Sequence, residues 1–199
     1  MNIFRLAGWM MITGLLASVA TAADQTVTLS GVHICCPSCV DGINDTVAKV
    51  PGVKANPSQD TGTIVLTAPD QATLQKAVDA LVAAGFYGKS SDPAIKVNAP
   101  SGATADKVAA LQVTGVHLCC DECVTKINAA VTKVPGVTSC DANANAQVFT
   151  VKGNFKPTEL FAAMNQAGFS GKIAPAAAAP APAPTPAPAP APAPGTKSN

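Results

Sequence analysis

Histidine is almost missing from this chain, 2 residues in 199, and aromatic side chains are scarce, with one Trp and one Tyr. Charge of either sign is thin: 13 Lys and Arg against 12 Asp and Glu leave a formal charge of +1. No basic stripe is present to neutralise phosphates, which argues against a nucleic acid partner and gives no attraction to an anionic membrane. Long apolar runs are lacking too. The one from Leu6 to Leu16 falls short of the roughly 20 residues a spanning helix needs, and nothing later is longer. With Arg5 before it and Ala20-Thr21-Ala22 after it, the segment 1–22 reads as a cleaved secretory signal, so no stable membrane insertion is expected once it is removed.

Cleavage removes Arg5 and takes the formal charge from +1 to 0. Export places the mature chain in the periplasm, the cell envelope or the extracellular space. Such compartments are oxidising, and thiols persist there only if they bind metal, are kept reduced or are paired.

That condition matters because the chain's scarce reactive side chains are gathered in one place. Nine residues occur twice, as GVHICCPSC from Gly31 to Cys39 and GVHLCCDEC from Gly115 to Cys123. They contain both histidines, His33 and His117, and six of the 7 cysteines. Sliding the sequence by 84 residues superimposes the motifs and carries Val40, Ile43 and Val47 onto Val124, Ile127 and Val131. After the first helix the offset becomes 83, aligning Ala84-Gly85-Phe86 with Ala167-Gly168-Phe169. The chain is therefore read as a signal (1–22), two duplicated units (24–90 and 108–173), a linker (91–107) and an Ala/Pro-rich tail (174–199). The tail has no periodic apolar face to bury and is expected to be a disordered polyproline II spacer.

Within each unit the pattern predicts strand, helix, strand, strand, helix, strand. Val27 and Leu29, like Leu111 and Val113, alternate with polar residues as a half-buried strand does. Val40, Ile43, Val47 and Val50, and their counterparts Val124, Ile127, Val131 and Val134, recur at helical spacing until Pro51-Gly52 and Pro135-Gly136 end the helices. Strands follow near Val53–Asn56 and Thr61–Thr67, and near Val137–Cys140 and Gln147–Val151. The second helices carry Leu74, Val78, Leu81 and Val82, and Leu160, Phe161 and Met164, the last read as core filler. A short strand is expected after Gly85, and Ala94–Val97 within the linker are a candidate extension of it.

The motifs lie where the first strand gives way to the first helix. Unpaired N–H groups at a helix start stabilise a thiolate, and Cys36 with Cys39, or Cys120 with Cys123, can aim two sulfurs at one point. This suits a soft metal ion and equally a dithiol redox pair. The extra donors favour metal: Cys35 or Cys119 adds a third sulfur and His33 or His117 a possible imidazole, enough for a Cys₃His set. Cys140 aligns with Asn56, outside the repeat, and is read as a lone thiol.

In this frame the chain resembles the heavy-metal-associated domain family, which includes copper chaperones, modules of metal-pumping ATPases and the periplasmic mercuric-ion-binding protein. Its members carry a GMxCxxC loop, an apolar residue after the second cysteine and again four and eight positions after it, and a Gly-Val pair beyond the helix. Cys39, Val40, Ile43, Val47 and Gly52-Val53 match those positions, as do Cys123, Val124, Ile127, Val131 and Gly136-Val137. The likeness spans about Gln25–Lys89 and Val108–Lys172. It implies an α+β class with two tandem ferredoxin-like βαββαβ sandwiches, and a metal-transporting ATPase or other acceptor protein as partner. In the ATPase modules a Phe before the last strand approaches the metal, and Phe86 and Phe169 stand at that position, where core packing explains them as well.

The loops depart from the family, because Cys36 and Cys120 follow Gly31 and Gly115 by five positions instead of three, and the usual Met is Val32 or Val116. Three sulfurs suit Cu(I) or Hg(II), and an added imidazole suits Zn(II) or Cd(II). The expected protein is non-enzymatic, binding one ion per domain, with Cu(I) or Zn(II) foremost, for sequestration, buffering or handover. Alternatives are a thiol–disulfide module using the CxxC pairs, or a structural or adhesion module with disulfide-stapled loops.

Overall fold

A computed structural model of the chain describes residues 23–175. The expected signal segment, and all of the expected tail except Ala174 and Pro175, lie outside the described residues. Unit one runs β1 (Gln25–Ser30), α1 (Pro37–Val47), β2 (Lys54–Ser58), β3 (Thr63–Ala68), α2 (Gln71–Ala83) and β4 (Lys89–Ser90). Unit two repeats the order as β5 (Val108–Thr114), α3 (Asp121–Val131), β6 (Val137–Cys140), β7 (Val148–Phe155), α4 (Pro157–Gln166) and β8 (Lys172–Ile173). Their antiparallel sheets have the orders β2-β3-β1-β4 and β6-β7-β5-β8. This mixed α/β arrangement, two four-stranded sheets with two helices each, is consistent with ferredoxin-like folds.

Alternation puts one face of each sheet inside. Val27 lies opposite Leu66 and Leu29 opposite Ile64, and all four are buried beneath α1 and α2. The helices begin for local reasons: Pro37 and Pro157 occupy first-turn positions where no N–H is needed, and the Asp70 carboxylate accepts a 2.7 Å hydrogen bond from the Thr73 N–H. The buried stripe of α1 is Cys39, Ile43 and Val47, and that of α3 is Cys123, Ile127 and Val131. Val40 and Val124, expected on this stripe, are only half-buried at its flank. The second cysteine of each motif is thus a core residue as well as a member of the motif.

Two expectations need correction. No strand forms at Ala94–Val97, because the Asp92 carboxylate caps the Ala94 N–H and turns the chain, and Ile95 drops into the core. β7 runs past Val151 to Phe155, absorbing Gly153 and Asn154 through a register irregularity opposite β5 and β6. Met164 is fully buried in the core, as its place on the apolar stripe implies.

The two units touch through corresponding loops. Phe86 and Phe169 form an antiparallel bridge, extended by hydrogen bonds from Ser170 N–H to the Gly85 carbonyl (2.9 Å) and from Tyr87 N–H to the Gly168 carbonyl (3.1 Å). Both glycines have left-handed backbones, with φ of +98° and +92°. A Cβ on Gly85 would overlap the backbone nitrogen of His117, and one on Gly168 would overlap that of His33. Gly85→Ala is therefore expected to loosen the junction without unfolding the sheets. Amide NMR shifts should move at His117 and Gly168 and stay in place at Ile64 and Val151, whereas unmoved shifts at His117 would contradict the packing.

Candidate metal centre

Each motif begins where β1 or β5 ends, at Gly31 and Gly115, and continues as extended chain to the helix. Alternation decides where its side chains go. In unit one Val32 and Ile34 are buried in the core, leaving His33 and Cys35 to face the other unit. In unit two Leu118 is buried in the same way. Cys36 and Cys120 are the N-cap residues of α1 and α3, with extended backbones (φ −154° and −156°). Three residues on, Cys39 and Cys123 are fully buried in the first turn.

Because the units meet at these loops, the six thiols converge. Cys35 Sγ lies 3.4 Å from the sulfurs of both Cys120 and Cys123. Cys119 Sγ lies 3.5 Å from that of Cys36 and 3.4 Å from that of Cys39. Within units, Cys36–Cys39 and Cys120–Cys123 are 3.9 and 3.8 Å apart, and Cys35–Cys39 and Cys119–Cys123 are 3.7 and 3.6 Å apart. All six are free thiols. Four of them, Cys35, Cys39, Cys119 and Cys123, have sulfurs within 4.8 Å of one another, and so do Cys35, Cys36, Cys119 and Cys120. The sequence suggests a separate pocket in each unit, whereas the structure interleaves the two motifs in one cluster.

The imidazoles stand beside the cluster and belong to neither group of four. His33 packs on Phe169 with ring centroids 4.7 Å apart, and His117 on Phe86 at 4.5 Å, each pair crossing between units. Phe86 and Phe169 thus form the wall against which the opposite motif rests. The Nε2 atoms of His33 and His117 are buried and have no hydrogen-bond partner. Burial holds the His33 imidazole below its ordinary pKa. Cys140, at the end of β6, takes no part in the cluster, and burial pushes its thiol up.

Crowded thiols cannot all ionise together. Cys39 is held far below the ordinary thiol range, mainly by the Cys123 S–H and secondarily by the His117 imidazole, while that same hydrogen bond to Cys39, followed by burial, pushes Cys123 up. Burial and neighbouring sulfurs raise Cys35 and Cys119. Cys120 is lowered to about 7, chiefly by the Cys123 backbone N–H at the start of α3. A cluster of softly polarisable sulfurs, part ionised and part able to release protons, fits a thiophilic ion and offers no oxygen-rich site for Mg or Ca.

Residues 111–170 match the model of the heavy-metal-associated domain. A solved chain described as "Crosstalk between Cu(I) and Zn(II) homeostasis" is 27% identical, covering 34% of this chain and 100% of its own, with a TM-score of 0.30. The N-terminal soluble domains of Bacillus subtilis CopA are 19% identical over 77% of this chain and 95% of theirs, with a TM-score of 0.29. The first two RRM domains of the yeast poly(U) binding protein Pub1 are 13% identical over 77% and 99%, with a TM-score of 0.24.

The electrostatics set an order of reactivity in the reduced, metal-free chain. Cys120 is half-buried and gains its thiolate as pH rises through about 7, whereas Cys35 and Cys119 stay protonated there. Iodoacetamide labelling followed by peptide mass spectrometry should modify Cys120 before Cys35 and Cys119 at neutral pH, with a rate that falls below about pH 7. Equal rates at these three positions would contradict the assignment. The family match falls on the half that contains Cys119, Cys120, Cys123 and His117, so the chain carries a heavy-metal-associated domain at residues 111–170.

Proposed function

We propose that this chain is an exported, non-enzymatic metal-binding protein that takes up soft or borderline ions for sequestration, buffering or handover. One observation carries the reading: six thiols from two motifs are packed with sulfur–sulfur distances of 3.4–3.9 Å, the spacing of ligands around shared ions. On this reading residues 24–90, which repeat the motif and the order of elements, are a diverged second copy of the domain matched at 111–170. Cys35, Cys36, Cys39, Cys119, Cys120 and Cys123 are the proposed ligands. His33 and His117 pack the junction against Phe169 and Phe86, each with a buried, unpartnered Nε2.

Handover would proceed by exchange of thiolates with an acceptor, such as the soluble module of a metal-transporting ATPase. The N-terminal signal would bring the chain to the periplasm or cell envelope. Binding replaces protons on sulfur by metal, so affinity must fall as pH falls.

Co(II) added to the reduced full chain should produce intense thiolate-to-metal charge-transfer bands that disappear on acidification. Absence of the bands, together with stoichiometric disulfides in freshly isolated protein, would overturn the reading in favour of stapled loops or redox chemistry. A competition titration should rank the donors as well. Cys36→Ser should weaken binding more than His33→Ala, whose cost is expected to be about 10-fold, as for groups that support ligands without binding metal. An equal or larger loss for His33→Ala would place the imidazole on the ion.

A further inference from the structure

Taken with the metal-binding reading, on which it rests, the pattern of sulfur distances goes further. We infer that each Cys-x-x-Cys pair is completed by the vicinal cysteine of the other unit: Cys36 and Cys39 with Cys119 hold one ion, and Cys120 and Cys123 with Cys35 hold a second. Cys35 lies nearer to the opposite pair, 3.4 Å from both sulfurs, than to its own Cys39 at 3.7 Å. Cys119 shows the same preference, 3.5 and 3.4 Å from the opposite pair against 3.6 Å to its own Cys123. The cause is backbone geometry. Successive side chains of an extended segment point to opposite sides, so the vicinal residue leaves its own helix start and reaches across the junction.

Both crossed triangles are closed. The first has edges of 3.9, 3.5 and 3.4 Å, the second 3.8, 3.4 and 3.4 Å. The centre of such a triangle is about 2.1 Å from each sulfur, near the ~2.3 Å of a metal–thiolate bond. Every cluster thiol is used once. Three thiolates in a plane satisfy Cu(I), whereas Zn(II) seeks a fourth donor. The starts of α1 and α3 both face the cluster, and their partial positive charge offsets part of the thiolate charge. A loaded ion then ties the two units together, and its release to an acceptor thiol requires a cross-unit bond to break.

The competing arrangement is a single tetrahedral ion on Cys35, Cys39, Cys119 and Cys123, which would leave Cys36 and Cys120 without metal although they touch the same sulfurs. The test uses the reduced full chain loaded anaerobically with two equivalents of Cu(I), read by X-ray absorption and by alkylation footprinting with peptide mass spectrometry. Two retained ions, a three-sulfur shell and protection of both Cys36 and Cys120 are expected. Cys119→Ser should lose one of the two ions and expose Cys36 while Cys120 stays protected, and Cys35→Ser should do the reverse. Exposure of Cys120 in Cys119→Ser, or labelling of Cys36 and Cys120 with one four-sulfur ion in the unmodified chain, would overturn the crossed assignment and leave metal binding intact. Failure of the unmodified chain to retain Cu(I) would instead overturn the metal-binding reading itself.

Discussion

The Ala-Gly-Phe turn of each unit presses its backbone against the Gly-Val-His segment of the other, in a space that a single Cβ at residue 85 or 168 would fill. This mutual approach determines what the cysteines can do. It stacks Phe86 on His117 and Phe169 on His33, and it closes the distance across which Cys35 and Cys119 reach the opposite helix starts. Without it the molecule would carry two loops with three thiols each. With it, six thiols share one environment, and the protonation of Cys35, Cys39, Cys119, Cys120 and Cys123 depends on sulfurs across the junction.

The same contact gives the length of each loop its consequence. A loop with the shorter spacing would bring the helix start close to the strand end. The longer Val-His-Ile-Cys and Val-His-Leu-Cys segments allow one more alternation, in which Val32, Ile34 and Leu118 enter the cores. The intervening His and Cys are turned toward the partner. Core packing thus fixes the direction of the polar side chains, since reversing it would expose apolar groups and bury sulfur and imidazole inside a single unit.

Much of the order of elements was legible in the sequence, because it is written in periods of two and 3.6 residues and then repeated. Val27 and Leu29, Leu74 and Val78, and Leu160 and Met164 all lie where their spacing places them. The irregular parts of the ladder were less legible: Gly153 and Asn154 resemble a turn but are carried inside β7, and Asp92 ends the ladder where β-branched and apolar residues suggested more strand. The convergence of the motifs was hidden for another reason. A repeat shows that two copies exist and says nothing about how they pack. Ala-Gly-Phe was visible twice, but its glycine serves a contact in the other unit. The alternation of apolar residues with His and Cys was the available signal, because it shows that the donors leave their own core.

The central claim, that the two motifs occupy one environment, can be tested without metal. The chain has only 2 histidines, so their Hε1 resonances provide isolated NMR probes. In the structure His117 packs over Phe86 and places Cε1 against Gly42, while His33 packs on Phe169. In a NOESY spectrum of the reduced, metal-free full chain, the expected result is a cross-peak from His117 Hε1 to the Phe86 ring and to the Gly42 α-protons, with a matching one from His33 to Phe169. Histidine cross-peaks confined to each residue's own unit would contradict it.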